Sequence, residues 1–136
     1  MWNLDDATQF VPVLDLHVPW AHTWADIRPG KTDRERREQL RSLAAKQIGA
    51  VPASVRWWAF RISVWKRGKR PFDVENVAKP IIDAFCARQI AEDKSESIGL
   101  GLYPDDSIDY VRFIQLSGDR TESDDSTRIE VFACVI

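Results

Sequence analysis

Residues 54–68, SVRWWAFRISVWKRG, alternate with a period of two over a length that leaves no room for a helix. Trp58, Phe60, Ile62 and Val64 fall on one side; Trp57, Ala59, Arg61, Ser63 and Trp65 fall on the other. The run reads as a long strand with one apolar face. Its tryptophans read first as core or edge packing, with base stacking as the alternative.

Around it the period changes. PVLDLHVPW (12–20) alternates and reads as a first strand, followed by a loop with a Pro29-Gly30 turn. Residues 32–49 read as a helix: Thr32 and Glu35 have capping-box spacing, Leu40, Leu43, Ala44 and Ile48 make a stripe, and Gly49 stands at the C′ position. After a basic loop at 66–72, residues 74–91 read as a second helix with Val77, Ile81, Ile82, Phe85 and Cys86 buried. Pro80 fits only the first turn, so this helix should begin in earnest near Lys79. IDYVRFIQLSG and RIEVFACVI read as strands joined by a turn, that is, as a β-hairpin. The order predicts a mixed α+β fold, one small domain over residues 1–136, with a mixed sheet of four or five strands and two main helices.

The 136-residue length suits one domain. No run reaches the roughly 18 apolar residues of a membrane span, and MWNLDDATQF lacks the basic start of a secretory signal. Cys86 and Cys134 have no metal-ligand spacing and read as buried reduced thiols, which suits a cytoplasmic protein. His17 and His22 read as structural or surface residues.

The net charge is −2, but the charges are segregated. Residues 56–70 carry six bases and no acid, while residues 92–130 carry eleven acids against four bases. A basic face is compatible with this pattern, and so is mixing of the two signs in space.

Chemistry is concentrated in KRPFDVENVAKPIIDAF (69–85). Asp73 and Glu75 are two apart in what reads as extended chain, where such positions share a side and can face one ion. Asp105 and Asp106 follow a Tyr-Pro turn and can close the same site. Clustered carboxylates need a cation or protons to neutralise them. An oxygen-only set suits Mg²⁺ or Mn²⁺ over zinc, and such an ion activates water for phosphodiester chemistry. Lys79 lies one helical turn from Asp83 and can pair with it or reach a scissile phosphate. The plainer alternatives are turn-favouring aspartates, acids at a helix N-terminus and an ordinary i,i+4 pair.

Asp73-Val74-Glu75-Asn76-Val77-Ala78-Lys79-Pro80-Ile81-Ile82-Asp83-Ala84-Phe85, followed by Asp105-Asp106-Ser107-Ile108, resembles the RusA family of Holliday-junction resolvases. That family carries D-x-D-N-x-x-K-x-x-x-D-A-L and then D-D-x-x-V/I. LHVPW is weakly similar to its opening strand. The resemblance implies a homodimeric, Mg²⁺-dependent endodeoxyribonuclease acting on branched DNA in recombination and repair. Asp73, Glu75 and Asp106 would be metal-binding catalytic carboxylates and Lys79 the catalytic lysine. Asn76, Asp83 and Asp105 would support the site. The basic run, with Arg61, Lys66, Arg67, Lys69 and Arg70, would hold the DNA backbone.

The chain departs from the family at three points. Position 75 is Glu in place of Asp. PWAHTWADIRPG replaces a proline-rich, asparagine-containing segment, and the total charge is acidic. Two other readings follow. One is a catalytically weakened module that binds structured DNA without cutting it. The other is an interaction protein whose acidic C-terminal half meets a protein partner.

Overall fold

Trp58, Phe60, Ile62 and Val64 enter the main core, while Trp57 and Ala59 enter a second cluster on the opposite face. The strand that carries them, β2 (Trp57–Arg67), is therefore covered on both faces along its first half. The computed structural model describes residues 1–22 and 31–136. The Pro29-Gly30 turn expected from the sequence lies outside the described residues. In chain order come β1 (Phe10–Val18), α1 (Lys31–Gln47), β2, α2 (Ala78–Ala84), α3 (Ala87–Glu92), β3 (Val111–Thr121) and β4 (Ser126–Cys134). This is the α+β class expected.

The four strands form one sheet in the order β1-β4-β2-β3. β4 runs antiparallel to both β1 and β2, and β2 runs parallel to β3. The last two strands are thus not a hairpin. Burial explains the correction. β4 sends Ile129, Val131 and Ala133 into the main core and Phe132 and Cys134 into the second cluster, so it needs an interior position. β3 is mostly exposed beyond Val111 and takes the edge, where its charged residues discourage further pairing. The short β3–β4 connection crosses the end of β2. Asp125 pins it there, accepting from the Arg67 N–H at 2.7 Å and from Lys66 Nζ at 2.9 Å.

One sheet face is packed by the helices through Leu40, Ala44, Val77, Ile81, Ile82 and Phe85. Apart from Ala44, each such side chain contributes about 1.5–3 kcal/mol by leaving water. The other face holds Leu4, Phe10, Trp57 and Phe132 at one end. Farther along it runs a charge ladder: Asp15 with Arg128, and Glu130 and Asp5 with Arg61. α1 starts at Lys31, so Thr32 lies inside its first turn rather than capping it. Both cysteines are free and buried. No helix among the described residues is long and apolar enough to cross a membrane.

The continuous second helix expected over 74–91 is broken. Residues Val74–Val77 form a 3-10 turn, α2 follows, and Cys86 is extended (φ −87°, ψ 123°) before α3 begins. α1 grips both pieces. The fully buried Arg41 donates Nε to the Ala84 carbonyl at 2.6 Å and Nη1 to Asp93 at 2.9 Å. Arg37 adds a bidentate pair to Asp93, both bonds 2.7 Å. Burial pushes the Asp93 carboxyl up, but hydrogen bonds from Arg37, Arg41 and Gln89 outweigh it and hold the group below its ordinary 3.8.

Asp93→Ala strands two buried guanidinium groups and should cost about 3–5 kcal/mol in urea unfolding. The wild-type contribution is complete above pH 3.8. It drains as the pH falls from there through the lower folded value. The difference between wild type and variant should therefore shrink in acid.

Candidate active site

Proline lacks an N–H and is tolerated only at the start of a helix. Pro80 obeys this as the third residue of α2, which begins at Ala78, next to Lys79 as expected. Lys79 and Asp83 then share a helix face, and Lys79 Nζ donates to Asp83 Oδ1 at 2.9 Å.

The second acidic motif reaches this face through the helix break. With Cys86 extended, Leu102 N–H donates to the Phe85 carbonyl (2.9 Å) and Ala87 N–H to the Tyr103 carbonyl (2.8 Å). Cys86 pairs with Tyr103 as a parallel bridge, and the Tyr103 hydroxyl donates to the Ile82 carbonyl at 2.5 Å. The residues that follow, Asp105 and Asp106, are thereby set beside α2. Lys79 Nζ also donates to Asp106 Oδ2. Asp106 N–H donates to Asp105 Oδ1 at 2.8 Å, which orders the two aspartates.

The electrostatics are asymmetric. Burial pulls the Lys79 ammonium down, but its bonds to Asp106 and Asp83 outweigh this and hold it above the ordinary lysine value. The Lys79 hydrogen bond holds Asp106 below the ordinary carboxylate value, against a smaller effect of burial. Asp83 goes the other way: its burial raises it, and Lys79 offsets only part of that.

Asp73 and Glu75 are placed differently from expectation. Asp73 is extended (φ −89°, ψ 106°), but Glu75 lies in the 3-10 turn. With three residues per turn, positions two apart do not share a side. The argument from extended chain therefore fails at this pair. Both side chains are exposed and make no hydrogen bond or ion pair among the described residues. The Asn76 N–H donates to the Asp73 carbonyl at 3.1 Å, which closes the turn. Gly118 of β3 holds the turn close, because a Cβ there would stand 2.3 Å from Val74 Cγ2.

Among the described residues no three His, Cys, Asp or Glu side chains converge as a metal-holding group. The structure thus unites Lys79, Asp83, Asp105 and Asp106 but leaves Asp73 and Glu75 outside that cluster. Asp73 and Glu75 carry oxygen donors of the kind a hard divalent cation takes, but with Asp106 they do not converge into a metal-holding group among the described residues.

The basic run is divided. Arg61 lies on the sheet face away from the helices, bound to Glu130 and Asp5. Lys66 pairs with Asp125 and Arg67 with Asp124. Lys69 and Arg70 are exposed and make no side-chain ion pair among the described residues. Trp57 and Trp58 are core residues, whereas Trp65 is partly exposed.

One neighbour of the site was not expected. Arg88 Nη2 lies 3.1 Å from Asp105 Oδ1 and 3.6 Å from Asp106 Oδ1. A continuous helix gave no reason to place it there; its position follows from the break. Comparison with protein-family models, curated proteins and solved structures returns no match to this chain.

Replacing Lys79 by Met should cost about 1 kcal/mol in urea unfolding, since the pair is half exposed. The loss should open as the pH rises from the lowered Asp106 value to the ordinary carboxylate value of 3.8, and stay open above it. The Asp106 contribution is complete above the ordinary carboxylate value and drains as the pH falls below it, because the Lys79 hydrogen bond holds that carboxyl low. A loss of equal size at both ends of that range would contradict the bridge.

Proposed function

We propose that this chain is a Mg²⁺-dependent endodeoxyribonuclease of the RusA type. It resolves four-way or other branched DNA by symmetric nicking, as a cytoplasmic homodimer, with Mn²⁺ as an alternative ion. The observation that carries the reading is the bond between Lys79 of the first motif and Asp106 of the second, 27 residues apart in sequence. Two motifs that are separately unremarkable meet in one place.

Asp73, Glu75 and Asp106 would hold the ion, which when bound supplies water activation and neutralises charge at the phosphate. The chain's own residues do the rest. Lys79 is kept charged by its two carboxylates and offers N–H donors to charge growing on a phosphate oxygen. Asp83 is buried and sits one helical turn away, so it aims that ammonium. Asn76 closes the turn that presents Asp73. Lys69 and Arg70 meet backbone phosphates, and Lys66 and Arg70 line a cleft with Arg36 and Phe72. A two-fold dimer would match the symmetry of a junction cut twice.

A second reading, binding without cutting, is favoured by one observation. Glu75 stands where the motif has Asp, and the 3-10 turn points it away from Asp73's side.

The test is incubation with a labelled four-way junction and a matched duplex, in Mg²⁺, in Mn²⁺ and in EDTA. Paired nicks are expected in the junction alone, lost in EDTA, and slowed by about 10²–10³-fold in Lys79→Met. Intact junction that shifts on a native gel selects the second reading, and Glu75→Asp should then restore nicking. Intact, unshifted DNA in every lane contradicts both readings.

A further inference from the structure

Arg88 stands outside both acidic motifs, yet it faces the same carboxylate as Lys79. Asp106 meets Lys79 through Oδ2 and Arg88 through Oδ1. The Arg88 position is built by the backbone: its N–H donates to the Pro104 carbonyl at 3.4 Å, and Ala87 N–H bonds Tyr103 beside it. The first turn of α3 is thus laid along the residues that lead into Asp105 and Asp106.

As a structural clamp Arg88 is weak. Its side chain is 60% exposed, and ion pairs in that setting contribute about 0–1 kcal/mol. Its approach to the aspartates is through Nη2, at 3.1 Å from Asp105 and 3.6 Å from Asp106. The guanidinium has five N–H donors, so most of its fork is open to another acceptor. The local charge supplies a reason for it. Asp83, Asp105 and Asp106 with Lys79 alone would present a net negative surface to a phosphodiester, which is itself an anion. Arg88 halves that net charge and sets a second exposed cation across Asp106 from Lys79, which is 45% exposed. Arginine suits phosphate because its planar fork can donate two parallel bonds.

We propose that Arg88 is a phosphate-binding residue of this site, its ligand a backbone phosphate of the DNA held next to the one Lys79 meets. The inference rests on the nucleic-acid reading above and extends it to a residue that the motifs do not contain.

The experiment is a salt titration of binding, by fluorescence anisotropy of a labelled four-way junction in EDTA, so that no cutting intervenes. Wild type, Arg88→Gln and Arg88→Lys are compared, with thermal melts alongside. Each phosphate contact contributes about 0.9 to the slope of log affinity against log salt. Arg88→Gln should lower the slope by about that amount and weaken binding several-fold at low salt. Arg88→Lys should keep the slope, and the three melts should coincide. A purely structural role would move the melts and leave the slope alone, which would overturn the proposal. Wild-type binding with an unchanged slope in Arg88→Gln overturns the role of Arg88 while the DNA reading stands. No salt-dependent binding by the wild type overturns both.

Discussion

The break in helical geometry at Phe85–Cys86 is the constraint on which the site depends. A helix that stops leaves carbonyls without intrahelical partners, and buried ones must be satisfied from elsewhere. Here each finds a specific donor. The Tyr103 hydroxyl takes Ile82, Arg41 takes Ala84, and Leu102 N–H takes Phe85. Those donors come from α1 and from the segment leading into Asp105 and Asp106. The break therefore draws three parts of the chain onto one point. It also fixes Lys79, Asp83, Asp105, Asp106 and Arg88 as neighbours.

The strands were legible because their side chains alternate between two faces, although β2 is buried on both along its first half and β3 is exposed along most of its length. β2 alternates as its sequence implies, and β4 is apolar enough on both faces to mark an interior strand. Their pairing was not legible. Adjacency in sequence suggests a hairpin, whereas the exposed surface of β3 and the two-sided burial of β4 place β2 between them. The second helix misled for a related reason. Its apolar spacing runs on through Cys86, and nothing local announces that tertiary hydrogen bonds to Tyr103 outweigh the helical ones there.

The candidate site was legible in part. The Lys79–Asp83 spacing and the pairing of the two acidic motifs could be read directly. Arg88 could not, because its position depends on the break. The Asp73–Glu75 geometry was misjudged, because a 3-10 turn replaces extended chain. The segregated charges also fold onto one another. Asp124 and Asp125 neutralise Arg67 and Lys66, and Glu130 neutralises Arg61. Of the basic run 56–70, Arg56, Lys69 and Arg70 stay exposed without a side-chain ion pair among the described residues, half of what the sequence total suggests. Charges paired in this way leave a modest overall field.

The proposal that most needs testing is that the two acidic motifs share one divalent cation, since Asp73 and Glu75 stand outside the Lys79 cluster. Mn²⁺ binding followed by electron paramagnetic resonance tests it without DNA or turnover, on wild type, Asp73→Asn and Asp106→Asn. On that proposal one ion per chain is expected, with affinity lost in either variant, because ligands from both motifs would hold the same ion. Binding that survives one of the two substitutions, or no binding by the wild type, would contradict the shared site.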